Sequence, residues 1–387
     1  MKNARPIYLD YNATTPIDPE VLEAMLPYFR EHFGNPSSNY AYGEQAKEAV
    51  IKAREKVAEL IGSEPDEVVF TSGGSESDNH AIIGTALANM KKGRHIVTSR
   101  IEHPAVLETL RYLEEKFQFR VTHLHVDEYG MVSPSDVEKA LTDKTVLITI
   151  MHANNEVGTI EPIEEIGRIA KEKGVIFHSD AAQSCGKIEV NVDKLNADLL
   201  TVAGHKLYAP KGIGALYIRR GTNIDKFIHG AGQELAKRAG TENVPYIVGL
   251  GRACEIASSK AHNFAETVKT LRDKLYRNIL NGLEEGRVKL NGHPERRLPN
   301  TLNISIEGIV GEELLAQIPE IAASTGPACH AGSTEPSPIL LEMGLTREQA
   351  LGALRLSLGR LSTEEEIDEA SELIVGKIKS RTVAIRR

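Results

Sequence analysis

The chain has 387 residues, 41% hydrophobic and 26% charged, with a net charge of −8 and no tryptophan. That length predicts a large core and two domains, and the acidic balance gives no electrostatic reason to expect nucleic acid or an anionic membrane as a partner. No apolar run reaches membrane-spanning length, and the first ten residues lack the apolar region of a signal peptide; the three cysteines are too widely spaced to imply a disulfide framework or a zinc site. A reducing cytoplasm is therefore the expected location.

Residues 7 to 15 read as a short extended lead. Asp18-Pro19 caps a helix to about His32, and a second helix runs from about Glu44 to Ile61 on an Ala46, Ala49, Val50, Ala53, Val57, Leu60 stripe, with Gly62 as its stop. From there strands and helices alternate. The predicted strands begin at Val68, Ile96, Val121, Val146, Val175, Leu199 and Ala215. The predicted helices between them cover about 75–90, 104–117, 135–141 and 163–173. Such alternation predicts an α/β fold with a mostly parallel sheet covered by helices on both faces. A long helix from about Tyr246 to Leu283 leads into a tail of short strands (302–306, 321–324) and helices (311–317, 363–377). This predicts a large domain over 15–257. A smaller α+β domain is expected over 258–387, joined by the N-terminal lead, 1–14.

Several strand ends carry candidate chemistry. Lys206, in Ala203-Gly204-His205-Lys206, lies in a tight turn after a buried strand; burial there lowers an amine's pKa and suits it to Schiff-base formation, although an isolated Gly-His-Lys is more often a surface turn. Asp180 ends the preceding strand, where a buried carboxylate needs a partner; it is either a turn cap or the acid that pairs with a pyridinium nitrogen. Gln183 stands close enough to donate to an oxygen of the same ring. Thr71-Ser72-Gly73-Gly74-Ser75-Glu76-Ser77 joins a strand to a helix and offers N–H groups, a hydroxyl and a helix dipole to an anion. His103 opens a helix, either as a cap or stacked on an aromatic ligand. Asn154 follows a strand, as a turn residue or as a group that bonds the ring hydroxyl or the substrate. In a parallel sheet all these positions converge on one edge.

Together these stretches resemble the cysteine desulfurase family, fold-type I enzymes that use pyridoxal 5′-phosphate. The resemblance runs through Tyr-Leu-Asp-Tyr-Asn-Ala-Thr-Thr-Pro (8–16), Phe-Gly-Asn-Pro-Ser-Ser (33–38), residues 71–77, Glu-His (102–103), Asn-Asn-Glu-Val-Gly (154–158), Asp-Ala-Ala-Gln (180–183), Gly-His-Lys (204–206) and Arg-Leu-Ser-Leu-Gly-Arg (355–360). It implies a seven-stranded, mostly parallel sheet. It also implies Lys206 as the Schiff-base lysine, Asp180 on the ring nitrogen, Gln183 and Asn154 on the ring oxygen, and His103 stacked on the ring as a catalytic group. Gly74, Ser75 and His205 would hold the phosphate. Thr241 would reach the phosphate of a partner subunit, which implies a homodimer, and Arg355 would bind the substrate carboxylate, with Asn154 also near the substrate.

Residues 323–333 read as a mobile loop with a single thiol, Cys329, where the family carries its persulfide-forming cysteine. The expected reaction is conversion of L-cysteine to L-alanine with a persulfide on Cys329. That persulfide would pass to a sulfur acceptor such as an iron–sulfur scaffold, with Cys329 a candidate cluster ligand during transfer. Cys185 and Cys254 read as small core residues. Ala203 stands where many members have Ser, which removes one phosphate hydrogen bond, and Pro327 stands where Ser is usual, which stiffens the approach to Cys329. Echoes of the selenocysteine lyases keep that activity open as an alternative. An aminotransferase and a non-catalytic scaffold subunit are the rivals of other classes.

Overall fold

A computed structural model describes residues 5–326 and 335–385. In chain order its strands and helices are β1 (Ile7–Tyr8), α1 (Pro19–Arg30), α2 (Ala41–Ile61), β2 (Val68–Thr71), α3 (Gly74–Asn79), α4 (Thr85–Ala88), β3 (His95–Ser99), α5 (Pro104–Phe117), β4 (Arg120–Leu124), α6 (Pro134–Ala140), β5 (Thr145–Thr149), α7 (Ile163–Lys173) and β6 (Ile176–Asp180). There follow β7 (Leu199–Ala203), β8 (Gly214–Ile218), α8 (Val244–Gly282), β9 (Val288–Asn291), β10 (Thr301–Ile306), α9 (Gly311–Leu315), β11 (Ile321–Ala322), α10 (Pro338–Glu342), α11 (Arg347–Leu351), β12 (Ala353–Ser357) and α12 (Glu364–Ile385).

Seven strands form one sheet in the order β2-β8-β7-β6-β5-β3-β4. Neighbours from β7 through β4 are all parallel, and β8 runs antiparallel to both β2 and β7. Because side chains alternate across a strand, successive residues feed different cores. Val97, Ile148, Phe177, Leu200 and Tyr217 pack with α2 and the first part of α8. Ile96 and Leu147 face α5, and Val69, Leu199 and Leu216 pack with Ala81. Helices therefore cover both faces, as the alternating pattern predicts.

A separate cluster surrounds two smaller sheets, the antiparallel β12-β10-β9 and the parallel pair β1-β11. It gathers Ile7 and Leu9 of the lead, Leu275 and Ile279 late in α8, Ile304, Leu354, and Ile367 and Ile374 of α12. The lead thus packs against the C-terminal elements.

Several expectations are corrected. The strand β12 falls on a stretch read only as a motif; it alternates too briefly to stand out, and its pairing partner lies about fifty residues away at β10. The predicted helix over 75–90 contains a wider π turn at His80–Gly84 between α3 and α4. There Gly84 packs so closely that a Cβ would lie 2.5 Å from the carbonyl oxygen of Asp225. The second helix starts at Ala41 rather than 44, and the last one runs on to Ile385.

One buried ion pair fixes the loop between β8 and α8. Arg54 on α2 makes two bonds to Glu234, Nη1–Oε2 at 2.7 Å and Nη2–Oε1 at 3.0 Å, and donates to the carbonyl of Val68, while Glu234 Oε2 also accepts the amide of Phe70. Glu234, Leu235 and Ala236 all have φ between 46° and 59°, a left-handed conformation that costs a non-glycine residue about 1–3 kcal/mol. The pair offsets that strain. Glu234→Ala leaves a buried guanidinium unpaired, and the expected loss is about 3–5 kcal/mol, read as a lower urea midpoint of unfolding. An unchanged midpoint would show that the pair does not hold the loop.

Candidate active site

The carboxyl ends of β2, β5, β6 and β7 open on one edge of the large sheet, and because β8 is reversed, its first residue meets them there: Gly214 pairs with both Thr71 and Ala203. A Cβ on Gly214 would lie 2.8 Å from the Cα of Gly73, so only glycine lets the β2–α3 turn approach. Above this edge lies a cavity of about 550 Å³. Gly74, Ser75, His103, Asp180, Gln183, His205, Lys206 and Arg355 all line it. The convergence expected from the sequence is therefore present.

Lys206 ends the single 3₁₀ turn Gly204–Lys206 that follows β7. Its amine donates to the carbonyl oxygens of Asn12 and, at 2.7 Å, Ala13. Burial, helped by the nearby Arg355 guanidinium, pushes its pKa down to about 8. Asp180 is the last residue of β6, and its Oδ1 accepts the amide of Ala182 at 2.8 Å. Burial raises its pKa, against the pull of His103 and Lys206. In the parallel β6–β7 register Asp180 lies opposite Thr201, five positions before Lys206. The amine and the acid thus meet in one cavity from neighbouring strands.

His103 takes the capping role. Its Nδ1 accepts the amide of Ala105 at 3.1 Å as the cap of α5, and its ring still borders the cavity. With Nδ1 accepting, the neutral ring carries its proton on Nε2. Burial lowers the pKa of His103, and it takes that of His205 to about 4, so both rings are neutral near pH 7. At the other side of the cavity Gly74, Ser75 and Glu76 begin α3, where helical N–H groups have no carbonyl of their own helix to meet. Arg238 grips Glu76 through Nε at 2.8 Å and Nη2 at 3.2 Å, tying the strained loop to this turn.

One position differs from the expectation. Asn154 is fully buried but does not line the cavity: its Oδ1 accepts the amides of Glu156 and Val157 at 2.8 and 3.0 Å, and its Nδ2 donates to the carbonyl of Ile101. It braces the loop, and the next residue, Asn155, reaches the cavity instead. Adjacent asparagines in a turn face different ways, which their order in the sequence does not reveal. Thr241 lies outside the main cavity, in a hollow of about 180 Å³ that shares Ser72, Gly212 and Ile213 with it.

Arg355 sits on β12, 1% exposed. Its Nη2 bonds Asp10 Oδ1 at 2.8 Å and its Nη1 bonds the carbonyl of Asn155 at 3.3 Å. Cys329 lies outside the described residues. Cys185 and Cys254 are buried free thiols whose pKa values burial raises, as core residues should be.

The sequence reading missed Asn12, Asp10 and Lys187. Asn12 accepts from Lys206 and Gln183 through its carbonyl, and its side chain bonds Thr301, Asn300, Lys187 and the carbonyl of Asn155. Its only sequence signal was its place inside a quoted motif. Among the described residues no group of three or more His, Cys, Asp or Glu could hold a metal ion, and no helix is long and apolar enough to cross a membrane.

The class-V aminotransferase family model matches residues 7–370. A protein of Methanosarcina thermophila named cysteine desulfurase IscS is 51% identical over 372 residues, 96% of this chain and 91% of the relative. Among solved structures, one titled NifS-like protein superposes with a TM-score of 0.90 at 41% identity, covering 97% of this chain and 100% of that one. Another, titled SspA in complex with cysteine, has a TM-score of 0.81 at 40% identity over 92% of this chain and 99% of its own. The seven-stranded sheet, the cavity at its carboxyl edge and these full-length similarities lead to one conclusion: the chain belongs to the class-V aminotransferase family, within its cysteine desulfurase branch.

Proposed function

We propose that the protein is a cysteine desulfurase that uses pyridoxal 5′-phosphate to convert L-cysteine to L-alanine, leaving a persulfide on Cys329. The observation that carries this reading is the buried Lys206 amine, with its pKa pushed to about 8, in one cavity with the Asp180 carboxylate and the start of α3. Relatives named cysteine desulfurase and a neighbour titled as a complex with cysteine support it.

The donor set fits the cofactor. The unpaired N–H groups at the start of α3, with the Ser75 hydroxyl, suit a phosphate dianion. The neutral His205 adds a donor without charge. Asp180 gains the cationic partner that a buried carboxylate requires, and Gln183 offers its NH₂ group to a ring oxygen. His103 would stack on the ring. When bound, the cofactor supplies an electrophilic carbon for an amine and an electron sink for a Cα carbanion.

The chain's own residues do the rest. Lys206 serves as the amine that holds the cofactor and, once released, moves the Cα proton of the substrate. Arg355, its plane set by Asp10 and the carbonyl of Asn155, binds the substrate carboxylate, and Asn155 takes the place beside it that was expected of Asn154. Cys329 attacks the substrate sulfur: an S–S bond forms, the Cβ–S bond breaks, and its electron pair stays with Cβ, which takes up a proton to give alanine. Ser324, five residues before Cys329 in the sequence, pairs by backbone bonds with Arg355, which lines the cavity.

The same reading includes a homodimer, because Thr241 lies outside its own chain's cavity and Phe33 and Tyr40, 70% and 60% exposed, leave an apolar surface beside α1 for a second copy. It also includes the division into a large domain of 15–257 and a small one of 1–14 and 258–387, which the separate hydrophobic clusters support. The persulfide would pass in the cytoplasm to an acceptor protein such as an iron–sulfur scaffold.

With L-cysteine, the purified holoenzyme is expected to release alanine and to carry a persulfide that mass spectrometry maps to Cys329. Cys329→Ala should keep the bound cofactor's colour and lose both products; full turnover by that variant would refute the assignment. Because only the free amine of Lys206 captures the cofactor, and its pKa is lowered to about 8, reconstitution of apoenzyme should speed up about tenfold per pH unit below that value and level off above it. A rate that keeps rising about tenfold per pH unit well above pH 8 would show an amine with its ordinary pKa and contradict the burial of Lys206. Ala203 lines the cavity beside Gly74, and Ala203→Ser adds a hydroxyl there; cofactor affinity should tighten by about fivefold, measured by equilibrium dialysis.

A further inference from the structure

Lys187 is a buried amine with no carboxylate partner. It is 5% exposed, and among the described residues none of its neighbours forms an ion pair with it. The charged groups around it are Lys206 and Arg355, both cationic, with the Cys185 thiol on its own turn. An ammonium in such a place is costly, and a methionine of similar length would fill the same space without that cost. What the lysine adds is hydrogen bonding. Its Nζ donates to Gln183 Oε1 at 2.6 Å and to Asn12 Oδ1 at 3.3 Å.

Those two bonds determine which way an amide faces. The Asn12 side chain is already fixed, since its Nδ2 donates to Thr301 Oγ1 and the carbonyl of Asn155, and its Oδ1 accepts from Asn300. Lys187, docked on that fixed oxygen, presents a second N–H to Gln183, four residues earlier in the chain. The Gln183 oxygen must therefore face inward and its NH₂ outward. One hydrogen of that NH₂ goes to the carbonyl of Asn12 at 3.0 Å, and the other is left for the cavity that Gln183 lines.

We propose that Lys187 is a positioning residue: by holding Gln183 Oε1 from behind, it keeps the NH₂ of Gln183 turned into the cavity as a donor to the phenolic oxygen of the cofactor ring. This rests on the reading of the cavity as a pyridoxal phosphate site. A lost donor leaves that oxygen more basic, so the proton it shares with the Lys206–cofactor linkage is held to higher pH. The visible absorbance of the bound cofactor reports that proton directly.

The test is a spectrophotometric pH titration of the holoenzyme and three variants, Lys187→Met, Gln183→Ala and the double variant. Each single change should raise the titration midpoint by about one pH unit, the size of one hydrogen bond to a charged oxygen, and the double variant should shift no further than Gln183→Ala alone. An unchanged midpoint in Lys187→Met overturns the proposal. So does an equal further shift from Lys187→Met in the Gln183→Ala background, which would mean that the charge of Lys187 acts through space. Gln183→Leu keeps the lysine and adds no charge but has no N–H to turn forward, so it should reproduce the upward shift even if Lys187→Met does not fold; an unshifted midpoint there overturns the proposal as well. A coloured wild type whose midpoint ignores Gln183→Ala removes the donor role of Gln183 and the proposal with it, whereas a colourless wild type after reconstitution fails the cofactor reading itself.

Discussion

The site depends on one buried asparagine that ties the large sheet to the small ones. The carbonyl of Asn12 receives Lys206 and Gln183 from the large sheet's edge, its amide donates to Ser357 on β12 at 2.9 Å, and its side chain reaches Thr301 on β10. A backbone carbonyl that accepts from two donors leaves little freedom to either. Lys206 and Gln183 are therefore aimed by the N-terminal lead and not by the strands from which they spring. The lead is itself fixed by the pairing of β1 with β11. Loss of that pairing would disorganise the cavity from a distance.

Around this point, charge is managed by burial more than by pairing. Glu102 lies beneath the cavity edge with its pKa pushed to about 8, and burial also raises Asp78, whose carboxylate borders the cavity beside Asp180. Glu102 is thus mostly neutral at pH 7, and burial favours the neutral form of Asp78. A layer in which every acid were ionised would repel itself strongly in a low-dielectric interior. On the cationic side, burial first and the Arg355 guanidinium second depress the tendency of Lys206 to hold its proton, against the pull of Asp10 and Asp180.

The reversed strand β8 has an equally mechanical part. Inserted between β2 and β7, it separates the anion-binding turn from the Lys206 turn by one strand on either side, and with β6 next to β7 it puts Asp180 three strand spacings, about 14 Å, from β2. Side chains from those ends converge on the cavity. The close contact of Gly214 with Gly73 brings the turn down onto the sheet edge and narrows the gap further.

The strands of the large sheet, their parallel sense, the helices that cover them and the convergence of Lys206, Asp180, His103, Gly74 and Ser75 were all legible along the chain, because each rests on local signals: apolar runs, glycine turns and polar residues just past strand ends. Position along a strand end is information that order in sequence carries. Direction is not. Whether Asn154 or Asn155 faces the cavity, whether Arg355 is exposed or buried in β12 against Asp10, and why Lys187 is tolerated in the core were decided only by packing. Those answers depend in part on hydrogen-bond partners 53 to 345 residues away, such as Ile101 for Asn154, Asn12 for Lys187 and Asp10 for Arg355, and no local pattern encodes them. The amino-acid order by itself determined which chemical groups reach the sheet edge; only the tertiary structure, by pressing the N-terminal lead and β12 onto that edge, decided which atoms of those groups face the cavity.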